Sequence, residues 1–181
     1  MDTFNAFDLI DAHGYIDTPD CAKLVRRALA KNFPGVKFSV RSSSYSMGSS
    51  IRVAWTDGPT QGAVSAVVGR YGGSGFDGMI DLKYNIQRWL MPDGTVQGTQ
   101  TTGTTGSVPP VNDPQPLGSR LVGFLADWVH CDRTLSDAAK ASVQADLTAK
   151  YGHPFDGNTW YDDFSCWGDQ VIWRAAAWTT F

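Results

Sequence analysis

The sequence predicts an α+β protein: an antiparallel sheet of three or four strands with two helices on one face, followed by a helical, aromatic-rich C-terminal segment. The main observation lies in residues 33–59, where two segments of alternating apolar and polar residues flank a loop of Ser, Gly, Tyr and Met. A period of two, in segments rich in β-branched and aromatic residues, is typical of half-buried strands. The second observation is that apolar residues recur at helical spacing before and after this hairpin.

The predicted hairpin has one apolar and one polar face. Its apolar positions are Phe38, Val40, Ile51, Val53 and Trp55. The opposite positions include Lys37, Arg41 and Arg52. Antiparallel sheets often bury one face and leave the other in solvent, so we expect the five apolar side chains to lie beneath the two helices.

The two helices are predicted at residues 19–33 and 60–71. The first carries its apolar stripe on Cys21, Leu24, Val25, Ala28, Leu29 and Phe33. We expect Thr18 to cap this helix, with Pro19 in its first turn. The second helix follows Asp57-Gly58-Pro59, and we expect Asp57 to cap it.

Residues 80–90 alternate again and predict a long strand, which Pro92-Asp93-Gly94 turns into a short return strand at 95–97. Residues 98–118 are rich in Gly, Thr and Pro and lack an apolar period. Such a composition is typical of a flexible loop or linker, so we place the domain boundary there.

The predicted organisation is therefore a sheet domain with an N-terminal arm at 1–97, a loop or linker at 98–118, and a helical segment at 119–181 that packs on the first domain. One helix of this last segment is predicted from Leu121, Val122, Leu125, Trp128 and Val129. Ser136 is expected to cap the next helix, which ends before Gly152.

Composition restricts the possible partners. The net charge of −3 argues against a general nucleic-acid coat, although a local basic face is compatible with it. The three cysteines are far apart and form no CxxC pair, so we expect a reducing cytoplasm. The N-terminus lacks the features of a signal peptide, and no apolar run is long enough for a membrane helix. We expect no membrane partner, no cofactor and no metal, since the histidines lack metal-site spacing.

A first candidate binding surface is the polar face of the hairpin, with Lys37, Arg41, Tyr45 and Arg52. Basic and aromatic side chains on one face suit a phosphate backbone or an acidic protein surface. A solvated face without a partner explains the same pattern.

A second candidate surface is the aromatic and acidic tail, with Trp160, Tyr161, Asp162, Asp163 and Trp167. Aromatic residues are enriched at binding hot spots, and carboxylates among them suit a basic protein surface. The alternative is a C-terminal lobe that buries its aromatics in its own core.

Catalytic chemistry has weaker support. Asp57 and Asp77 are candidate acids or bases at strand ends, but turns and helix caps use the same residues without chemistry. His130 and Cys131 are adjacent, so on a helix they point about 100° apart and form no nucleophile–base pair. We assign no catalytic residue.

The segment KNFPGVKFSVRSSSYSMGSSIRVAWTDGP at 31–59, followed by FDGMIDLKY at 76–84, resembles a known family, the large polyvalent protein-associated domain of type 29. CDRTLS at 131–136 is similar to a later Arg-x-Leu-Ser block of that family. The resemblance implies proteins of phages, plasmids and conjugative elements that assist the incoming element against its host. It supplies no catalytic residues.

These observations favour a non-enzymatic, mobile-element-encoded binding protein that counters host defence, as an anti-CRISPR-like or antirestriction-like inhibitor does. Its expected partner is a host defence protein or nucleoprotein complex. The alternative is a nucleic-acid-binding accessory domain that uses Lys37, Arg41 and Arg52. The third option is an enzyme that uses Asp57 and Asp77.

Overall fold

The computed structural model describes residues 4–99 and 111–181, and these contain eleven strands and four α-helices. The strands are β1 (Tyr15–Ile16), β2 (Ser39–Tyr45), β3 (Gly48–Thr56), β4 (Ser74–Asp77), β5 (Leu82–Asn85), β6 (Gln87–Leu90), β7 (Val96–Gln97), β8 (Arg120–Phe124), β9 (Trp128–Thr134), β10 (Trp160–Tyr161) and β11 (Cys166–Trp167). The helices are α1 (Thr18–Asn32), α2 (Gln61–Val68), α3 (Asp137–Tyr151) and α4 (Gly168–Ala176). The predicted α+β class is confirmed.

The predicted hairpin forms two strands of a three-stranded sheet in the order β2-β3-β9. β2 runs antiparallel to β3, with Val40 opposite Val53. β9 runs parallel to β3 and places Cys131 next to Val53. The sheet is thus mixed, whereas the sequence predicted an antiparallel one, because its third strand comes from the far side of the chain.

A four-stranded sheet has the order β1-β8-β6-β7. β1 is parallel to β8, and β6 is antiparallel to both β8 and β7, which confirms the predicted turn and return strand. The predicted strand at 80–90 is interrupted. β5 pairs with β4 in a separate hairpin, and Ile86 donates its N–H to the carbonyl of Gly73 at 2.7 Å between β5 and β6.

The helix predicted from residue 119 to 129 is wrong. Its apolar residues lie in or beside β8 and β9: Leu121, Val122, Leu125, Trp128 and Val129. Each short strand is held by partners far away in the sequence, which local spacing does not reveal. Residues 100–110 of the predicted linker lie outside the described part of the chain, and strands from both sides of it join the same two sheets.

α1 and α2 cover one face of the three-stranded sheet and also pack against each other. The core between these layers includes Leu24, Val25, Leu29, Val40, Ile51, Val53, Trp55, Val64 and Val68, with Phe38 partly buried at its edge. The five apolar hairpin residues therefore face the helices, as predicted.

The predicted caps of α1 and α2 are wrong by one and by three residues. Asp17 caps α1, since its carboxylate accepts the N–H of Asp20 at 2.7 Å. Thr18 is buried, and its Oγ1 donates to the Oγ of Ser49 at 3.1 Å. Thr60 caps α2 through its Oγ1, which accepts the N–H of Ala63 at 3.2 Å.

A second apolar cluster lies between α3 and α4, and it contains Leu135, Ala139, Val143, Leu147, Phe155, Cys166, Val171, Ile172 and Ala176. Ser136 caps α3 as predicted, because its side chain accepts the N–H of Ala139. Gly152 ends this helix with φ of 76°, a left-handed conformation that glycine adopts without strain. Within the described residues, no helix is long and apolar enough to cross a membrane.

The central position of β3 generates a stability prediction. Ile51→Ala leaves a cavity between the sheet and the helices, because Ile51 is fully buried, and we expect a loss of about 2–5 kcal/mol in the free energy of unfolding. Ser50→Ala, one residue away on the other face, is expected to change it by less than about 0.5 kcal/mol. Urea unfolding followed by circular dichroism measures both, and equal losses would contradict the assigned faces of β3.

Candidate functional site

The face of the three-stranded sheet that points away from α1 and α2 is open to solvent. We call it the open sheet face. Along the three strands it is formed by Ser39, Arg41, Ser43 and Tyr45, by Ser50, Arg52, Ala54 and Thr56, and by Trp128, His130, Asp132 and Thr134. These positions alternate with buried residues, because successive side chains of a strand point to opposite faces.

Three nitrogen-bearing side chains form a row across the open sheet face. Arg41 lies opposite Arg52, and Arg52 lies next to His130. Arg52 Nε forms an ion pair with the Oδ2 of Asp132 at 3.0 Å, and both side chains are mostly exposed. Arg41 has no ion-pair partner among the residues that the structure describes. Among these described residues, the charge of Arg52 is paired with Asp132 and that of Arg41 is not, so the row has excess positive charge. Like charges directly opposite each other in a sheet are also unfavourable.

Two exposed aromatic side chains lie at one end of the open sheet face. Tyr45, at the end of β2, is 55% exposed, and Trp128, at the start of β9, is 39% exposed. A groove of about 610 Å³ lies at the other end, where Lys37, Ser39 and Thr56 contribute to its lining. The face therefore places aromatic rings, guanidinium groups and a groove along one surface.

The four predicted basic and aromatic residues of the hairpin thus lie on or beside one face. The sequence did not predict that Trp128, His130 and Asp132 belong to it, because these residues fall in or next to the segment interpreted as a helix. The available signal was in the sequence itself, where the apolar Val129 and Cys131 alternate with the polar His130 and Asp132. In the structure, Cys131 and Arg133 are buried while their neighbours are open.

The aromatic and acidic tail forms a smaller surface on the hairpin of β10 and β11. Trp160 and Trp167 are 48% and 49% exposed, and their ring centroids lie 5.8 Å apart in an edge-to-face arrangement. The indole N–H of Trp160 donates to Asp162 at 2.9 Å, and Asp163 is exposed beside it. Tyr161 is half-buried, and its hydroxyl is engaged by the backbone of Pro154 and Asp156, so it supports the hairpin.

The buried guanidinium of Arg133 joins the sheet to the C-terminal helix. The Arg133 side chain is almost entirely shielded from water, since the residue is only 6% exposed. Nη2 donates to the carbonyl of Gly58 at 2.9 Å and to that of Thr179 at 2.8 Å. Nη1 donates to the carbonyl of Ala176 at 2.8 Å, and Nε donates to that of Asp57 at 3.2 Å. Burial lowers the pKa of Arg133, and these carbonyls replace the water that the cation loses.

The turn opposite Arg133 is shaped to offer these carbonyls. Asp57 and Gly58 both have positive φ, 57° and 59°, a conformation that Asp and Gly tolerate best. The Asp57 carboxylate accepts the N–H of Ser136 at 2.8 Å, so it supports the start of α3. The sequence had predicted that Asp57 would cap α2, and this prediction is wrong. We call this contact between the 57–58 turn, Arg133 and the C-terminus the Arg133 junction.

The candidate catalytic carboxylates accept backbone N–H groups in different parts of the fold. Asp57 bonds Ser136 in the Arg133 junction, and Asp77 accepts the N–H of Met79 at 2.9 Å in the turn after β4. Cys131 is buried on the helix side of β9, and burial raises its pKa. His130 lies on the open sheet face, so the two residues point to opposite faces of a strand.

The hydrogen bonds that the Arg133 guanidinium makes to four carbonyls generate a stability prediction. Arg133→Lys keeps the charge but loses the planar fork that reaches several carbonyls, so we expect a loss of about 2–4 kcal/mol in the free energy of unfolding. Arg52→Lys, on the open sheet face, is expected to cost less than about 0.5 kcal/mol. Chemical denaturation of both variants measures the difference, and a similar small loss for both would refute a structural role for the Arg133 fork.

Comparison with known proteins gives one result. A family model described as large polyvalent protein associated domain 29 matches residues 16–113. This range begins in β1 and covers the helices α1 and α2 and the strands β2 to β7. It includes the 57–58 turn of the Arg133 junction and ends before Arg133 itself. No curated protein and no solved structure matches the chain. Because the match covers more than half of the sequence, the chain belongs to the family of large polyvalent protein associated domain 29.

Proposed function

We propose that this chain is a binding protein of a mobile genetic element, and that its open sheet face binds single-stranded nucleic acid. The family context that the sequence resemblance implies is that of phages, plasmids and conjugative elements. The single observation that carries the proposal is the row of Arg41, Arg52 and His130, flanked by exposed Tyr45 and Trp128.

The geometry of the row suits a phosphate backbone. Guanidinium groups donate paired hydrogen bonds to phosphate oxygens, and Arg41 has no competing carboxylate among the described residues. The Arg52–Asp132 ion pair is exposed, so it is weak and easily exchanged. A polyanion therefore relieves the repulsion between Arg41 and Arg52, which the exposed Arg52–Asp132 ion pair offsets only in part.

The two aromatic side chains suit bases that are not paired. Single-stranded nucleic acid is held by stacking on aromatic rings and by a positively charged track along its backbone. A duplex hides its bases from such a surface, so the exposed rings of Tyr45 and Trp128 favour a single strand. With a net charge of −3 the protein has no general attraction for a polyanion, so binding depends on local positive charge and is expected to weaken steeply with added salt.

A charge-reversal experiment tests this proposal. We expect the double variant Arg41→Glu, Arg52→Glu to weaken binding of a fluorescent single-stranded oligonucleotide by at least about tenfold at low salt, because it replaces two phosphate contacts with repulsion. Arg174→Glu, an exposed residue of α4, serves as the matched control. Fluorescence anisotropy measures both, with DNA and RNA oligonucleotides.

The result for Trp128 separates stacking from general charge attraction. Trp128→Ala is expected to weaken single-strand binding, whereas Trp178→Ala, which removes a 90% exposed ring elsewhere, is expected to leave it unchanged. Absence of oligonucleotide binding to the unmodified protein at low salt would remove the proposal.

A second candidate function is stoichiometric inhibition of a host defence protein or nucleoprotein complex. The observation that favours it is the pair of exposed indoles, Trp160 and Trp167, beside the carboxylates of Asp162 and Asp163. Aromatic anchors surrounded by negative charge suit a basic protein surface that otherwise holds nucleic acid.

The inhibitor hypothesis has a separate test. Affinity capture from a bacterial host lysate, followed by mass spectrometry, is expected to recover a defence component with the unmodified protein and to lose it with the variant Trp160→Ala, Trp167→Ala. Trp178→Ala is the control, because it removes an exposed indole outside this hairpin. Recovery of no defence component, or equal recovery with the hairpin variant, would contradict this second function.

A further inference from the structure

A cleft of about 640 Å³, lined by both polar and apolar residues, lies on the helix side of the protein, away from the open sheet face. The end of α1, the turn after α2 and the turn between β6 and β7 enclose it. Its lining includes Arg27, Lys31, Asn32, Arg70, Tyr71, Asp93, Gly94 and Thr95. Pockets for small molecules commonly measure about 300–1,000 Å³, so the cleft has the volume of a ligand site.

Positive charge exceeds negative charge in this cleft. Its three cations are Arg27, Lys31 and Arg70, and its carboxylate is Asp93. Lys31 Nζ lies 3.2 Å from the Oδ2 of Asp93. The Thr95 N–H and hydroxyl also donate to Asp93, each at 2.8 Å, and with Lys31 they lower its pKa. Asp93 therefore neutralises Lys31, and the two arginines have no carboxylate partner among the described residues.

Arg27 is held in place by an aromatic ring, and its guanidinium donates no hydrogen bond to another residue that the structure describes. Its guanidinium carbon lies 3.7 Å from the centroid of the Phe4 ring. Stacking of this kind fixes the plane of the cation and leaves the N–H groups at its edge available. Arg27 is thus oriented in advance for a ligand that accepts several hydrogen bonds.

A third guanidinium adds to the field around Arg70. Arg88 is half-buried, and its Nε has no hydrogen-bond partner among the described residues. Burial lowers the pKa of Arg88, and the charge of Arg70 lowers it further. Two arginines that repel each other, one of them partly desolvated, make the site near Arg70 favourable for an anion.

The dipole of α1 explains only part of this cluster. Cations are favoured near a helix C-terminus, which accounts for Lys31 in the last turn of α1. Arg27 lies more than one turn before the helix end, and Arg70 lies on a different element. The gathering of Arg27 and Arg70 on one cleft therefore needs another explanation.

We propose that this cleft binds a phosphorylated small molecule of mononucleotide size, with Arg27 and Arg70 as the phosphate ligands. Guanidinium groups bind phosphate oxygens in a bidentate manner. The apolar part of the lining, which includes Ala28, Val67 and Val96, is available to the rest of the molecule. This site is distinct from the open sheet face, and its ligand is a separate molecule from the oligonucleotide proposed there.

Isothermal titration calorimetry at low ionic strength, with ATP and with inorganic phosphate as probes, tests the proposal. We expect saturable binding of ATP with one site per chain and weaker binding of phosphate alone. Arg27→Gln and Arg70→Gln are each expected to weaken ATP binding by about tenfold or more, since each removes a charge-assisted contact. Arg174→Gln is the matched control on α4 and is expected to leave binding unchanged.

Circular dichroism and the melting temperature verify that each variant is folded. Changes in the amide NMR chemical shifts of Gly94 and Thr95 on addition of ATP locate the ligand in the cleft. No saturable ATP binding at millimolar concentration would overturn the proposal, as would equal binding by the Arg27→Gln, Arg70→Gln double variant. If that double variant weakens oligonucleotide binding but not ATP binding, the cleft belongs to a nucleic-acid surface and the small-molecule site is refuted.

Discussion

The buried cation of Arg133 determines how the second half of this chain meets the first. Arg133 lies on β9, and its guanidinium bonds the 57–58 turn at the end of β3. It also bonds the carbonyl of Ala176, the last residue of α4, and that of Thr179. The ring of Phe181 lies 5.4 Å from this cation, and the N–H of Phe181 donates to Gly58 at 3.3 Å. An uncompensated buried charge is very costly. The turn, β9 and the C-terminus must therefore come together in one arrangement, and the α3–α4 cluster is fixed to the end of the sheet.

β9 also widens the open sheet face, and side chains cover part of the backbone at both outer edges of the sheet. β9 adds Trp128 and His130 to a face that the hairpin alone would leave narrow. At the outer edges, Arg26 donates to the carbonyl of Val40 at 2.7 Å and Gln61 donates to that of Cys131 at 2.8 Å. Side chains that cover edge carbonyls reduce strand pairing with other chains. The sheet thus presents side chains to a partner, and its backbone is partly protected.

The sequence predicted features that depend on neighbours in the chain and missed those that depend on distant partners. The alternation in β2 and β3 and the stripes of α1 and α2 are local, and they predicted the hairpin, its buried face and the positions of Arg41 and Arg52. The apolar spacing in residues 121–129 fits a helix as well as two short strands, and only distant pairing partners favour strands. Asp57 looked like a cap for the next helix, but its hydrogen-bond partner, Ser136, lies 79 residues away. The sequence did not predict the part that Trp128 and His130 play in the open sheet face, or the cleft beside Arg27 and Arg70, because tertiary contacts assemble both.

We infer that the Arg133 junction makes the two apolar clusters one cooperative unit. Native-state hydrogen exchange measured by mass spectrometry tests it directly, because it gives the free energy of opening for each segment. We predict that peptides from β3 and from α3 share their highest opening free energy in the unmodified protein. We also predict that Arg133→Lys lowers the opening free energy of α3 more than that of β3. Exchange of α3 at a much lower free energy than β3 in the unmodified protein would show that the two clusters unfold independently.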